Sequence, residues 1–398
     1  IMNNINNFKG IKYNYLSNAG DDIIDSFFTH LNEANNYVIK KKKGSCFNYT
    51  LTNINLISQI PKPKMYDSYF FPDAIKTYIH DNAIYSLFFT CKIKSRTINI
   101  YFVIFNGINS KDINDLNEYV HKIYMWIYIL DFFSTKNCSK TLDLYVYLTP
   151  FEKELPNNQL IVLGSEHVNT GYTTGCKSNT EIVLYRQEEW FKVFIHETFH
   201  NFGLDFSDMT QDSINNKLKQ IFNVNIEYNL YESYCEVWGR IIHTMICSYF
   251  DLPPEKNSNV LFFRGMFKQN MELECFHSLF QALKILHFMD LNFKIVATKT
   301  ATNIGISNHL YREDTSIFSY YIITALLMNN YVDFFLWCKK HNNTLIQFKK
   351  TPTNVDEYIK FILACCGNQQ IKKNIAIIDK KLSNNMVISP SLKMTTFY

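Results

Sequence analysis

Residues 181–203 read EIVLYRQEEWFKVFIHETFHNFG, and they are the part of the sequence that is most informative about the fold. Its first six residues, Glu181 to Arg186, are typical of a short strand. An amphipathic helix over about 187–202 follows and ends at Gly203, because glycine readily adopts the left-handed backbone that stops a helix. The stretch therefore predicts a strand followed directly by a largely apolar helix.

The predicted helix carries the motif His196-Glu197-Thr198-Phe199-His200. Histidines four residues apart lie on one helix face, so both imidazoles can approach a single metal ion. Neutral imidazole is a good ligand for Zn²⁺, and Glu197 is placed to act as a general base on a bound water. A chain with 11 His would contain this pattern by chance only about 0.01 times, so the motif is specific.

The rest of the chain divides into a mixed half and a helical half. Period-two runs over about 84–106 predict a hairpin that turns at Lys94-Ser95-Arg96, and another strand is predicted over 141–149. Helical patterns cover about 21–36, 111–135, 211–222, 230–250, 260–290, 315–340 and 354–381. The sequence thus predicts an α+β protein, with a mixed β-sheet in the N-terminal lobe and an all-helical C-terminal lobe.

Three segments are expected. Residues 1–65 form an N-terminal segment of unknown role, and residues 66–205 form an α/β lobe that ends with the motif helix. Residues 206–398 form the helical lobe, which we expect to supply a third metal ligand.

Glu232 and Glu236 are the candidates for that ligand. They lie four residues apart on an otherwise apolar helix, so their carboxylates repel each other unless a positive partner faces them. A zinc ion with its imidazoles would be such a partner. A solvated pair of acids is the alternative explanation.

The motif and this acidic pair together resemble the zincin metallopeptidases. One branch, the metzincins, continues the motif as HExxHxxGxxH or with Asp last. Gly203 fits, but the ligand position holds Phe206, which cannot coordinate a metal, and Asp205 and Asp208 lie out of register. Those two aspartates would be considered only if Glu232 proved to lie far from the histidines.

The gluzincins fit better, because that branch takes a Glu from a second helix with an acid four residues on. The resemblance implies one zinc per chain, bound by His196, His200 and Glu232, with Glu236 accepting a hydrogen bond from His196. Exchanged roles for Glu232 and Glu236 remain an alternative. The resemblance is specific over about 181–240 and plausible by element order from about 84.

The resemblance also implies a zincin-like fold and a mechanism. A strand at the sheet edge just before the motif helix would pair with extended substrate, and Glu181–Arg186 holds that place. Peptide bonds would be hydrolysed by a zinc-activated water with Glu197 as general base. His309 and Tyr311 are candidates to stabilise the oxyanion, although a loop leading into a helix cap would also explain them.

Two further features near the motif have more than one explanation. His243 is expected to be a core histidine. The loop 168–175, rich in Gly and Thr, either lines the cleft or only connects elements.

Two other functions are compatible with the sequence. The chain could be a zincin-like zinc-binding structural or virion scaffold without peptidase activity, although a scaffold has no need of Glu197. A partner-binding module, in which the His and Glu residues form a buried polar network, would bind no metal.

Composition narrows the expected partners and location. A net charge of +4 over 398 residues argues against nucleic acid, so we expect a protein or peptide substrate. The uncharged run near Thr315–Val332 favours a buried helix over a membrane span. Ten Cys without a CxxC pair and no signal peptide indicate reduced thiols inside a cell, not a secreted protein. Composition and motif together resemble predicted metallopeptidases of large DNA viruses, which implies a viral factory or virion; the oligomeric state is left open.

Overall fold

The structure is a computed structural model that describes residues 10–12, 18–44, 46–256, 258–384 and 389–397. It contains one mixed β-sheet and many helices, so the predicted α+β class is confirmed. The strands are β1 Tyr49–Asn53, β2 Tyr85–Ile93, β3 Arg96–Ile104, β4 Thr141–Tyr147, β5 Gly171–Thr173 and β6 Asn179–Leu184.

The helices before the end of the motif are α1 Asp21–Ile39, α2 Asp73–Asn82, α3 Ser110–Phe133, α4 Ser165–Val168 and α5 Trp190–Asn201. Those after it are α6 Asp212–Leu218, α7 Leu230–Phe250, α8 Val260–Phe288, α9 Phe293–Ala297, α10 Ala301–Leu310, α11 Thr324–Met328, α12 Tyr331–His341, α13 Pro352–Gly367 and α14 Gln369–Leu382. A π-helix, Phe318–Ile323, leads directly into α11.

The sheet has the strand order β1-β2-β3-β4-β6-β5. β2 and β3 form the predicted hairpin, in which Lys94 takes the positive φ that the tight turn requires. β4 runs parallel to both β3 and β6, whereas β5 runs antiparallel to β6 at the edge. The prediction that Glu181–Arg186 forms the edge strand is wrong, because β5 folds back outside it.

The motif helix α5 lies on the sheet and is fixed at several points. Trp126 of α3 donates an indole hydrogen bond to Thr198, in the middle of the motif, at 2.9 Å. At the end of α5 the Asn201 side chain accepts from Thr180 and donates to Thr173, so it joins the helix to both β6 and β5. Gly203 follows with φ of 66°, as expected for a helix stop.

The helical half packs around α7 and α8. Its aromatic and aliphatic side chains join those of the sheet and of α1 in one large buried cluster. A second apolar cluster covers the other face of the sheet, where α2 contributes Ile75 and Ile79. The motif helix therefore lies between the sheet and the helices that follow it.

Two predicted helices are each divided in the structure. The helix expected over 315–340 consists of the π-helix, α11 and α12, and it turns at Asn329 and Asn330, whose side chains bond to helix carbonyls. The helix expected over 354–381 is interrupted at Asn368, which caps the start of α14. Asparagine side chains compete with the helix for its backbone groups, which explains both interruptions.

Within the described ranges, no single helix has the length and apolar character to cross a membrane; the helices Phe318–Met328 and Tyr331–His341, bent by 97°, meet that requirement only as a pair.

The expectation that all cysteines are free thiols is wrong for two of them. Cys138 and Cys176 form a disulfide. The parallel pairing of β4 with β6 explains it, since Thr141 lies opposite Asn179 and each cysteine precedes its strand by three residues. The disulfide packs against Gly203, where an added Cβ would lie 3.3 Å from the Cβ of Cys176.

Candidate metal centre

Two helices provide the residues of the centre. α5 carries His196, Glu197 and His200, and α7 carries Glu232 and Glu236 near its start. The helices approach closely because Gly239 of α7 faces the backbone of His196, so that an added Cβ would lie 3.3–3.4 Å from His196 atoms. This contact sets the spacing between the histidines and the glutamates.

Three ligand atoms of these helices converge on one point. The Nε2 atoms of His196 and His200 are 3.3 Å apart, and Oε2 of Glu232 lies 3.2 Å from the first and 3.3 Å from the second. His196 is buried, while His200 and Glu232 each retain about 13% side-chain exposure. The three groups could hold a metal ion that is reachable from solvent.

The outer nitrogens of both imidazoles are already engaged. Nδ1 of His196 donates to Oε2 of Glu236 at 3.0 Å, and Nδ1 of His200 donates to Oδ2 of Asp205 at 2.7 Å. When the rings are neutral, both Nε2 atoms therefore present lone pairs towards the Glu232 carboxylate. Three converging acceptors repel one another unless a proton or a metal cation lies between them.

Protons on the imidazoles are one way to meet this requirement. Burial alone would lower the pKa of His196, but hydrogen bonds to Glu232 and Glu236 raise it overall. Burial also opposes a charge on His200, yet the carboxylates of Glu232 and Asp205 raise its pKa well above the ordinary value. In turn the histidines hold the pKa of Glu232 below its usual range, against the effect of burial. The centre thus favours positive charge at its middle.

Glu236 is fixed by cations on its far side. Lys192, one turn before His196, donates to both Glu236 oxygens at 2.8 and 3.1 Å, and both side chains are buried. Burial would raise the pKa of Glu236, but Lys192, His196 and Arg240 hold it far below its usual range. Glu236 is therefore ionised, and it keeps His196 in one tautomer.

Glu197 lies beside the three ligand atoms without being one of them. Burial raises its pKa, and the two histidines only partly oppose that effect. Its side chain lines a cavity of about 30 Å³ together with His196 and Tyr320. Tyr320 lies on the π-helix, with its ring 5.9 Å from that of His196, and burial beside Glu232 and Glu197 raises its pKa well above the ordinary value. Its hydroxyl is therefore a neutral donor.

His200, Asp205 and Cys235 form a second group that could hold a metal ion. The 2.7 Å between Nδ1 of His200 and Oδ2 of Asp205 is a hydrogen-bond distance, shorter than two ligands of one zinc ion would take. Burial also raises the pKa of the Cys235 thiol, so that it stays protonated. The second group is better explained as the support of His200.

The structure does not bring His309 and Tyr311 to the centre. His309 is exposed near the end of α10. Tyr311 is buried, donates to Glu313 at 2.6 Å and packs on Phe318. Their assignment as oxyanion donors is not supported, because the tyrosine hydroxyl already has a partner and the histidine faces solvent.

Three other residues considered from the sequence, Asp208, Phe206 and His243, are not among the ligands of the centre. Asp208 is exposed and pairs with Lys350, whereas Phe206 is buried among aromatic rings. His243 is buried on α7, and burial lowers its pKa to about 4, as expected for a neutral core histidine.

Sequence reasoning missed the roles of two residues, Asp205 and Tyr320, whereas it did name the loop that contains Gly171. Asp205 was considered only as a ligand, whereas it orients His200. Tyr320 lies in an apolar run next to Tyr321, and nothing in the sequence distinguishes the two tyrosines. Gly171 begins the edge strand and lines the cavity beside Glu197, so the loop 168–175 does face the cleft. The tight HNFGLD spacing could have identified Asp205, since a turn at Gly203 folds it back towards His200.

No family model, curated protein or solved structure matches the chain.

Proposed function

We propose that this protein is a zinc-dependent metallopeptidase of the gluzincin type, which hydrolyses peptide bonds in a protein or peptide substrate. The observation that carries the proposal is the spacing of the three ligand atoms, 3.2–3.3 Å. Tetrahedral zinc with bonds of about 2.0–2.1 Å places its ligands about 3.3 Å apart. The side chains therefore have the spacing of a zinc site without rearrangement.

The donor set supports zinc over the hard cations. Two imidazole nitrogens and one carboxylate oxygen suit Zn²⁺, whereas Ca²⁺ and Mg²⁺ prefer oxygen ligands. Three protein ligands leave a fourth position for water, which is typical of catalytic sites. Zinc bound there would supply Lewis acidity and lower the pKa of that water to about 7.

Glu197 is the proposed general base. Its carboxylate lines the cavity beside the ligand atoms and is not committed to an ion pair among the described contacts. Burial raises its pKa, and a carboxylate with a raised pKa accepts a proton from water more effectively. It would take that proton during attack on the carbonyl and deliver it to the leaving amine.

Tyr320 is the proposed oxyanion donor in place of His309 and Tyr311. Its neutral hydroxyl borders the same cavity as Glu197, on a π-helix that interrupts regular helical geometry. Such interruptions are frequent at functional sites. A donor aimed at the developing negative charge commonly contributes 10²–10³-fold, by the order of magnitude known for oxyanion holes.

The edge strand β5 is the proposed docking edge for the substrate backbone. Within the described residues it pairs with β6 alone, and Gly171 at its start lines the cavity beside Glu197. An extended peptide added along β5 would use main-chain hydrogen bonds and so bring a peptide bond past the centre.

The competing function is a zinc-binding scaffold without peptidase activity. It explains His196, His200 and Glu232 equally well. It does not explain a buried carboxylate at Glu197 that is not a ligand, since burial of an unpaired carboxylate costs stability. Glu197 therefore favours the enzyme.

The first test is metal content by mass spectrometry after purification without chelators. We expect about one zinc per chain in the wild type and little in Glu232→Ala. Asp208→Ala is the matched control, because it removes an exposed acid near the site. A folded wild type that neither contains nor takes up zinc would overturn the proposal.

The second test separates peptidase from scaffold. The zinc-loaded wild type should cleave unfolded casein, and Glu197→Gln should keep its zinc but lose at least about 100-fold in rate. Equal zinc content with no cleavage by either protein would favour the scaffold.

A further inference from the structure

Residues 389–397 pass through the region between the sheet lobe and the helical lobe. The amide of Leu155 donates to Pro390 at 2.8 Å, and the amide of Leu392 donates to Lys153 at 2.7 Å. On the other side, Gln281 and His277 of α8 donate to the Lys393 carbonyl at 2.5 and 2.8 Å. We name residues 389–397 the strap, because they connect the two lobes.

Met394 of the strap reaches the candidate metal centre. Its side chain is 3% exposed, and its sulfur lies 3.4 Å from Nζ of Lys192, the lysine that holds Glu236. It lines the cavity of about 30 Å³ that also borders Val193 and Glu197. A space of that size holds about two water molecules, and it is partly open to solvent.

Met394 is held in this position by the buried partners of Thr395, the residue that follows it. The Thr395 amide donates to Glu189 at 2.6 Å, and the Thr395 hydroxyl donates to Glu274 at 3.0 Å. Glu189 and Glu274 are themselves buried and paired with Lys153 and Arg240. Withdrawal of Met394 would break these bonds and leave buried carboxylates short of donors. The side chain is therefore part of the cavity wall and does not act as a mobile plug.

The position of the cavity gives it a role in substrate choice. His196 and Glu197 mark where a reacting carbonyl and its attacking water must lie, and both border the cavity. A substrate side chain that contacts the Met394 side of this cavity must therefore belong to a residue next to the scissile bond.

We propose that Met394 is a specificity-determining residue, which restricts the substrate residue adjacent to the scissile bond to a small side chain. The inference rests on the proposed zinc peptidase. The inference gives the strap a role in substrate binding, although its sequence, SPSLKMTTF, contains no recognisable binding motif. Truncation of Met394 should deepen the pocket and admit larger groups.

The test uses binding, so it does not depend on turnover. The probes are hydroxamates of the form HONH-CO-CH₂-CH(R)-CO-NH-CH₃, with R as methyl, isobutyl or benzyl. The zinc-loaded wild type should bind the methyl probe more tightly than the benzyl probe. In Met394→Ala the ratio of benzyl to methyl affinity should rise by about tenfold or more, because a difference of one methylene group in a pocket changes affinity by about that factor.

Met271→Ala is the matched control, because Met271 is equally buried on α8 but does not line the cavity. It should leave the probe ratio unchanged. Met394→Val leaves an apolar side chain of intermediate size in the wall, and its probe ratio should lie between those of the wild type and Met394→Ala. It serves as the test if Met394→Ala does not fold.

The outcomes separate the inference from the proposed function. If the wild type binds no zinc, the proposed function fails. If the zinc-loaded wild type binds the probes, but the Met394 variants leave the benzyl-to-methyl ratio unchanged, the inference alone is overturned. A wild type that already prefers the benzyl probe would overturn it as well.

Discussion

At the scale of single residues, the carboxylates that support the histidines are as informative as the ligands. Asp205 accepts from Nδ1 of His200 at 2.7 Å, and it is buried. Asp205→Ala would leave that nitrogen without its acceptor and free the ring to turn. Loss of such a partner typically costs 10–100-fold in metal affinity, so we expect zinc affinity to fall by about that factor.

The measurement is competition of each variant against a chromophoric zinc chelator. Asp208→Ala is the control for the loss of an acid in the same loop, since Asp208 is exposed and bonds only to Lys350 among the described contacts. Equal affinities for the two variants would show that Asp205 does not position His200.

Glu313 provides a pH-dependent contribution to stability at a distance from the centre. Burial raises its pKa from 4.5 to about 8, while donors from Tyr311 and Phe318 only partly oppose that shift. Between these pH values the folded chain keeps a proton that the unfolded chain has released. The free energy of unfolding therefore falls as pH rises through this window, by at most about 1.4 kcal/mol per pH unit.

Glu313→Gln should remove most of this dependence, because the amide oxygen can still accept from Tyr311 and Phe318. We expect the wild type to lose roughly 3 kcal/mol more than the variant between pH 5 and pH 8, as measured by urea unfolding. Parallel pH profiles for the two proteins would contradict the assignment.

At the scale of elements, the approach of α5 and α7 sets the geometry of the centre. Gly239 permits it, because an added Cβ would lie only 3.3–3.4 Å from His196 atoms, including backbone N and Cα. Gly239→Ala should push the helices apart by a few tenths of an ångström. We expect a lower melting temperature and weaker zinc binding, with overpacking costs of about 1–3 kcal/mol.

Gly265→Ala on α8 is the matched control, because no atom of the described part of the chain lies within 4 Å of an added Cβ there, apart from the helix itself and the adjacent residues. Alanine in an open helical position should stabilise by about 0.5–1 kcal/mol. A lower melting temperature for Gly239→Ala together with a higher one for Gly265→Ala would support the packing argument. A stabilising Gly239→Ala would refute it.

Local patterns predicted most elements, and contacts across the fold decided the rest. The hairpin turn at Lys94 and the helix stop at Gly203 follow from residues adjacent in sequence. The edge strand could not be predicted in this way, because three residues beginning with Gly171 carry almost no periodic signal. The disulfide between Cys138 and Cys176 depends on the parallel pairing of β4 with β6, which no local pattern reveals.

The same division holds for the candidate site across the whole molecule. Helical periodicity alone places His196 near His200 and Glu232 near Glu236, so these residues could be chosen from the sequence. Tyr320 and Met394 reach the cavity from elements that lie more than a hundred residues beyond His200 in the chain. Only the packing of the helical half and the strap against the sheet lobe brings them there.

Metal binding should therefore stabilise the whole fold, since the ligands come from two helices that both lie in the main core. An ion that binds only the folded chain adds about 2.7 kcal/mol at a concentration one hundred times its dissociation constant. The effect should depend on pH, because zinc must displace a proton from His200, whose pKa is raised well above the ordinary value by Glu232 and Asp205.

The sign follows from the two states of His200. In the metal-free protein its proton stabilises the fold below pH of about 6.5, and this contribution is lost as pH rises through the raised pKa. Zinc affinity changes in the opposite direction and should increase about tenfold per pH unit while one proton is displaced. The fall in melting temperature caused by a chelator should thus be larger at pH 8 than at pH 6.

Differential scanning calorimetry with and without EDTA measures this difference directly. His200→Ala should abolish the chelator effect at both pH values, whereas Glu197→Gln, which keeps all three ligands, should retain it. A chelator effect that is equal at pH 6 and pH 8 would mean that no proton leaves the centre when zinc binds. The assignment of a proton to His200 in the metal-free protein would then be wrong.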